Sequence, residues 1–416
     1  MIAKFKTGLI VGALVAAGIS CSHMQPFELS GRIDGLRVGD TLRFERILLP
    51  DWTYEPAFDI VVREPDRFRY RGRQEHDQYY MMTYLPRVGK AATGDRAGKL
   101  LIVTPGDRIT LTGTTGEIYY SALGGGIYDE PALAELLTVE DSLGRIRGRY
   151  LQNSQEALAR ADTVANREWS EKFNRFYDDN PGIGRKRALR KAYETTNPQG
   201  TLYLLVDRIP KLSYTSADDA HEFYESLSEE LKASYYGGVY ADYKAKLERL
   251  ARGNPAPDFT LVTTEGESIA KADFAGNYLL FYHWGLCPGS IYIDAQVRDL
   301  YETYKEKGLR VVGLTESIAT IRKVYEGLPT GVKTPSAGVA DLRPVLAGML
   351  AHGWPEVELE TDRPENGRIL ESYAIEGWPS FVLIAPDDTI VVRGFSDTFF
   401  EAKRVLDMEL GGESAD

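Results

Sequence analysis

The sequence predicts an α/β domain at its C-terminal end, preceded by an all-β domain and a helical spacer. Apolar residues alternate with period two in the first part of the chain and follow a helical period from about 130 to 252. A strand at 278–284, a helix at 290–307 and a strand at 309–314 come next. This order builds a parallel sheet with a right-handed crossover. We therefore expect a leader at 1–21, a β-rich domain at 22–125, the spacer at 126–252 and the α/β domain at 253–412.

The composition argues against some classes of function. The chain has 416 residues, and because domains usually run about 100 to 200 residues, more than one is expected. Its net charge of -12 and pI near 5.2 argue against a nucleic-acid binder, which needs a basic surface to displace counterions from phosphate. We found no cofactor or metal motif, and therefore expect neither.

The N-terminus has the pattern of an export signal. Lys4 and Lys6 precede an apolar run at 9–19, which is too short to span a bilayer as a stable helix. Small residues then lead to Cys21, and the stretch 17–21 resembles a bacterial lipobox. The resemblance implies that Cys21 is lipidated and associates the protein with a membrane in the cell envelope, either facing the periplasm or exposed at the surface. Ordinary secretion and an uncleaved anchor are the alternatives.

The β-rich domain and the spacer are predicted from local patterns. The segment 67–73 alternates arginine with other residues, which places the arginines on one face of a strand. Pro105-Gly106 marks a turn between two further strands. In the spacer, Ser216 and Asp219 form a capping pair that starts a helix, and Gly253 follows the last helical segment. The spacer contains no cluster of His, Cys and carboxylate residues, so a packing role is expected.

The α/β domain contains four sequence pieces that together resemble the TlpA/ResA-like redoxins. The pieces are the segment Ala256-Pro257-Asp258-Phe259, the segment Cys287-Pro288-Gly289-Ser290 at a helix start, Trp378-Pro379-Ser380, and a closing hairpin with strands at 381–385 and 390–393. The resemblance implies a thioredoxin fold over roughly 155 residues and thiol–disulfide chemistry on protein thiol or disulfide clients. The β-rich domain likewise resembles the small β domain that precedes such redoxins in exported lipoproteins.

The expected site is built around Cys287. A cysteine at a helix N-terminus faces free backbone N–H groups and the positive end of the helix dipole, and both favour thiolate, the attacking species. By resemblance, Pro379 is expected to be the proline that lies in the cis form beside the sulfur. We assign Cys287 as nucleophile and Ser290 as a hydrogen-bond donor to its thiolate. Trp284, Trp378 and Pro379 are expected to bind the client.

This sequence departs from the family pattern at several positions. Ser290 stands where a disulfide reductase has its second cysteine, so the intramolecular dithiol cycle is not available. Leu286 replaces the aromatic residue before the first cysteine, and His283 replaces a tryptophan, with Trp284 displaced by one position. Phe281 stands where thioredoxin has a buried aspartate, so the expected proton acceptor is missing.

Three interpretations of Cys287 remain open. A monothiol forms a mixed disulfide that an external thiol resolves. A peroxidatic cysteine is less favoured, because Leu280 and Trp284 stand where peroxiredoxins have Pro and Thr. The third interpretation is a redox-inactive domain that docks a partner in an envelope complex. His283 is the only histidine that the sequence places near the site, and it is a candidate for tuning the thiolate.

Overall fold

The computed structural model describes residues 24–50, 52–89, 98–160, 162–174, 176, 201–327, 342–359 and 364–411. The predicted leader and its Cys21 lie outside these residues. No helix in the described ranges is both long enough and apolar enough to cross a membrane.

The N-terminal part consists of two four-stranded sheets, with orders β4-β1-β7-β8 and β3-β2-β5-β6. Alternate residues of the strands enter a shared core, where Phe27 of one sheet lies 6.1 Å, ring to ring, from Phe58 of the other. The arginines of β4 lie on its exposed face, as the alternation predicts. The expectation of a β-rich N-terminal part is thus confirmed. The strands are β1 Gln25–Asp34, β2 Thr41–Leu48, β3 Thr53–Val61, β4 Arg67–Gln74, β5 Gln78–Leu85, β6 Gly98–Val103, β7 Arg108–Thr114 and β8 Ala122–Gly124.

A helical region follows, and one of its helices starts at the cap that the sequence predicts. Ser216 accepts a hydrogen bond from the Asp219 N–H at 3.0 Å, as the sequence predicts. The last helix ends at Arg249, before Gly253, which lies in the linker with a φ of +84°. The helices are α1 Pro131–Ala159, α2 Thr163–Asn174, α3 Thr201–Arg208, α4 Ala217–Ser226, α5 Glu229–Lys232 and α6 Tyr235–Arg249, and a 3-10 helix at Ile209–Tyr214 follows α3.

The C-terminal part is a five-stranded sheet of order β13-β12-β11-β14-β15, preceded by the hairpin β9-β10. Strand β11 pairs parallel with β12 and antiparallel with β14, which confirms the predicted thioredoxin-like α/β fold. The strands are β9 Thr260–Val262, β10 Ser268–Ala270, β11 Tyr278–His283, β12 Leu309–Thr315, β13 Glu356–Glu358, β14 Ser380–Ile384 and β15 Ile390–Phe395. The helices are α7 Pro288–Tyr304, α8 Ile318–Gly327, α9 Leu342–Met349, α10 Pro364–Ser372 and α11 Thr398–Glu409.

The hydrophobic core crosses the predicted domain borders. Leu280 and Tyr282 of β11 belong to one core, which packs under α7. Leu279 and Phe281 point to the other face of the sheet, and their core continues through the helical region into the N-terminal sheets. The helical region is therefore packed against the C-terminal sheet. The exact domain borders remain a prediction.

Candidate functional site

Cys287 lies between the end of β11 and the start of α7, where it is the N-cap residue of the helix. Pro288 at the first helical position suits this start, because its fixed φ is helical and its missing N–H would have no intrahelical partner. The sulfur accepts the Ser290 backbone N–H at 3.3 Å, and the side chain is half-buried. The sulfur thus caps the N-terminus of the helix and still reaches solvent.

Ser290 is fully buried directly below the sulfur. Its Oγ lies 3.3 Å from Cys287 Sγ and also accepts the backbone N–H of Gly285 at 3.3 Å. The thiol hydrogen has a second acceptor, the Trp378 carbonyl oxygen, also at 3.3 Å. When the thiol ionises, this carbonyl becomes repulsive, whereas the serine hydroxyl can rotate to donate to the sulfur. The Trp378 carbonyl therefore favours the protonated thiol, whereas the Ser290 hydroxyl can stabilise the thiolate.

The Trp378-Pro379 peptide is cis, and this loop covers the start of α7. A Cβ added to Gly289 would lie 2.8 Å from Pro379 Cδ, so the proline ring packs against the first helical turn. A Cβ added to Gly285 would lie 2.5 Å from the Trp378 ring, which means that only glycine allows the indole to lie so close. Pro379 and Trp378 therefore border the sulfur, where the sequence predicts them.

His283 joins the central strand to this loop. The Gly377 carbonyl can only accept, so Nδ1 of His283 carries the hydrogen of their 3.0 Å bond. Nε2 then accepts from the indole N–H of Trp378 at 3.1 Å. Burial lowers the pKa of His283 to about 4, so the imidazole is neutral at pH 7. His283 holds the tryptophan in place, and as a neutral group it supplies no positive charge to the thiolate.

Trp284 does not lie on the client surface predicted for it. Its side chain is 0% exposed, and its indole N–H donates to Glu356 at 3.0 Å. Trp284 directly follows the last residue of β11, and this displacement by one position explains the difference, because successive side chains of an extended chain point to opposite faces. Trp284 points into the core under α7, and His283 points towards the proline loop.

A buried polar cluster beneath α7 was not predicted. His352 lies between two carboxylates, with Nε2 2.7 Å from Asp294 and Nδ1 2.5 Å from Glu356. Trp284 and Trp354 both donate to Glu356. Burial lowers the pKa of His352, but the bonds to Asp294 and Glu356 outweigh it and raise the pKa to about 8. Burial raises the pKa of Glu356.

One sequence signal could have pointed to the cluster. Asp294 falls on the same helical stripe as the buried residues Ile291 and Val297, where a charged residue needs a partner. The partner itself lies 58 residues further along the chain, and no local pattern links the two. Among the described residues, no group of three or more His, Cys, Asp or Glu is arranged to hold a metal ion.

A small cavity of about 160 Å³ adjoins the thiol site. The hydroxyl of Thr315 is buried there with no hydrogen-bond partner among the described residues. The cavity has room for roughly one apolar side chain, and its lining consists of Gly285, Leu286, Thr315, Glu316, Ser317, Thr320, Ile321 and Trp378.

The strand order, the cysteine at the helix start and the cis-proline loop define a thioredoxin-fold domain with a thiol site. Residues 252–326 match the model of the AhpC/TSA family. The chain is 32% identical over 77 residues to "Thiol-disulfide oxidoreductase ResA" of Bacillus cereus, an alignment that covers 18% of this chain and 44% of ResA. It is 30% identical over 79 residues to "Peroxiredoxin Q, chloroplastic" of Triticum aestivum, which covers 18% of this chain and 36% of that protein.

Among solved structures, the thioredoxin domain of a thiol-disulfide oxidoreductase from Bacteroides vulgatus is similar with a TM-score of 0.27 and 21% identity. That match covers 38% of this chain and 98% of the other. The C-terminal domain has a thioredoxin fold, and it is similar to redoxins in its sequence motifs and in its match to ResA. The chain spans less than half the length of the curated relatives it matches.

Proposed function

We propose that this protein carries out thiol–disulfide exchange through the single sulfur of Cys287. The thiolate attacks one sulfur of a client disulfide, so that a Cys287–client disulfide forms and the other client sulfur leaves as a thiolate. An external thiolate then attacks the client sulfur of this mixed disulfide, forms a new disulfide with the client, and returns Cys287 as thiolate. Each step makes one S–S bond and breaks one, so no further oxidant or reductant is needed.

The observation that carries this proposal is the environment of the sulfur. Cys287 is half-buried at a helix N-terminus, next to a cis-proline loop, with Ser290 at 3.3 Å as a hydrogen-bonding neighbour. A sulfur that only packs in the core would lack both the opening to solvent and the polar contacts. Because Ser290 cannot form a disulfide, release of the client requires the external thiol.

Alkylation of the full chain with Cys21→Ser tests the proposal, because Cys287 is then its sole thiol. We expect iodoacetamide to modify Cys287 faster than free cysteine at pH 7, and Ser290→Ala to slow the reaction, since a donor to the thiolate is lost. Cys287→Ala is the control for background labelling. A sulfur that stays unmodified over hours in the folded protein would contradict the proposal and leave the docking role.

A gain-of-function variant tests separately whether the surface around Cys287 accepts a polypeptide. Ser290→Cys places a second thiol at the position of the Ser290 hydroxyl, whose oxygen lies 3.3 Å from Cys287 Sγ. We expect this variant to reduce insulin disulfides faster than the parent at the same dithiothreitol concentration, because the second thiol resolves the mixed disulfide within the domain, whereas the parent depends on dithiothreitol for that step. If Ser290→Cys forms the internal disulfide but reduces no insulin, the surface around Cys287 does not accept polypeptides. Rapid oxidation of Cys287 by hydrogen peroxide would instead favour the peroxidatic interpretation.

We further propose that the protein acts in the cell envelope, attached through lipidated Cys21. The support is the lipobox-like stretch at 17–21 after an apolar run. Metabolic labelling with a palmitate analogue checks this, because the label should disappear in Cys21→Ser. Label that persists in Cys21→Ser, or label that is absent from the parent, contradicts the anchor without affecting the proposal for Cys287.

A further inference from the structure

The helical region is hydrogen-bonded to the loop that carries the cis-proline and to the neighbouring strand. Arg393 of β15 donates to the carbonyls of Ser213 at 2.9 Å and Thr215 at 3.3 Å, both in the helical region. The same guanidinium donates to Ala374 at the start of the loop, at 2.8 Å. Tyr243 of α6 reaches the loop as well, through Glu376. The loop therefore lies against a segment from outside the redoxin domain.

Tyr214 of this segment lies directly over the loop next to the thiol site. Gly377 adopts a φ of +71°, and a Cβ added to it would lie 2.7 Å from the Tyr214 hydroxyl and 3.8 Å from the Phe395 ring. The two rings contact each other edge to face at 4.8 Å. Gly377 directly precedes Trp378, whose carbonyl accepts the Cys287 thiol. The aromatic pair thus contacts the residue directly before the one whose carbonyl is hydrogen-bonded to the reacting sulfur.

Both rings of this pair are open to solvent, Tyr214 at 48% and Phe395 at 37%. Half-exposed aromatic rings that are held in one orientation are typical anchors for a polypeptide partner, since they offer large contact area at little entropic cost. A small thiol would end at the sulfur and leave the pair uncovered. A polypeptide that forms a disulfide with Cys287 continues past it, and an extended chain advances about 3.3 Å per residue.

We propose that Tyr214, together with Phe395, binds an apolar side chain of the client polypeptide close to its reacting cysteine. Tyr214 then determines client preference from the helical region, so that the redoxin domain alone does not hold the complete client site. The inference rests on the proposed exchange function, and it concerns which clients react, whereas the chemistry belongs to Cys287.

The test compares polypeptide and small disulfides. Each of two short peptides carries one cysteine that is activated as a mixed disulfide with thionitrobenzoate. In the first peptide, the residues two positions before and two positions after the cysteine are Phe; in the second peptide, both are Ser. The rates with the full chain, in which Cys21 is replaced by Ser, are compared with the rate for Ellman's reagent. We expect the Phe peptide to react about fivefold to tenfold faster than the Ser peptide.

The variants identify the residue responsible. Tyr214→Ala should reduce the preference for the Phe peptide to near one and leave the rate with Ellman's reagent unchanged, while Tyr214→Phe keeps the preference. A parent without preference, or a preference that survives Tyr214→Ala, overturns the inference. If Tyr214→Ala slows Ellman's reagent as much as the Phe peptide, Tyr214 only positions the loop, and the inference is also overturned. Failure of the exchange function has a separate sign, because Ellman's reagent then does not react with the parent.

Discussion

Replacing His283 tests how the central strand holds the cis-proline loop. The neutral imidazole donates to Gly377 and accepts from Trp378, and a protonated ring has no acceptor for the indole N–H. The pKa of His283 is lowered by burial from about 6.5 in the unfolded chain to about 4 in the folded protein. The unfolded state therefore binds more protons between these values, and stability falls as the pH falls from about 6.5 towards 4.

The size of the effect follows from the two pKa values. Between pH 7 and pH 5 the linkage relation gives a loss of about 2 kcal/mol in the free energy of unfolding. His283→Gln cannot take up the proton, so this part of the pH dependence should be absent in the variant. The variant also loses part of the two hydrogen bonds, which costs about 1 to 2 kcal/mol at pH 7.

Urea unfolding at pH 7, 6 and 5, followed by tryptophan fluorescence, measures both quantities. The expected result is a free energy of unfolding that falls more steeply with acid in the parent than in His283→Gln, by about 2 kcal/mol over this range. His221→Gln is the matched control, because that side chain is exposed. Equal acid losses in the parent and in His283→Gln would show that His283 is not held neutral in the fold.

Three further predictions concern packing around the site. Protonated His352, whose pKa is raised to about 8, contributes stability that is present below about pH 6.5 and is lost as the pH rises through 8. In urea unfolding, the free energy of unfolding of the parent should therefore fall by about 2 kcal/mol between pH 6 and 9, and that of His352→Gln should not. Gly285→Ala pushes a methyl group into the Trp378 ring, which should cost about 1 to 3 kcal/mol and slow alkylation of Cys287. Gly327→Ala is the control, because the new methyl group there meets none of the described residues within 4 Å. Equal effects of the two substitutions would contradict the packing. Tyr243→Phe removes a hydrogen bond to the proline loop and should lower the free energy of unfolding by about 1 kcal/mol; an unchanged urea midpoint would show that this bond adds nothing.

The sequence determined the class of the fold and the order of its elements. The period of the apolar residues distinguishes strands from helices. Local signals such as Ser216 and Pro288 favour a helix start independently of tertiary contacts. The position of Cys287 at a helix start and the proximity of Pro379 came from motifs of the redoxin family. These features are encoded by residues close together in the chain, so they can be predicted without coordinates.

The tertiary structure decided which faces meet. Trp284 was expected on the client surface, but its side chain points into the core and is buried. His283, one position earlier, points to the opposite face and contacts the proline loop instead. Asp294 finds His352 only after a helix packs on the sheet, and Tyr214 reaches Gly377 only because the helical region folds against the redoxin domain. Contacts between distant residues depend on how whole elements pack, and local patterns in the sequence do not record that packing.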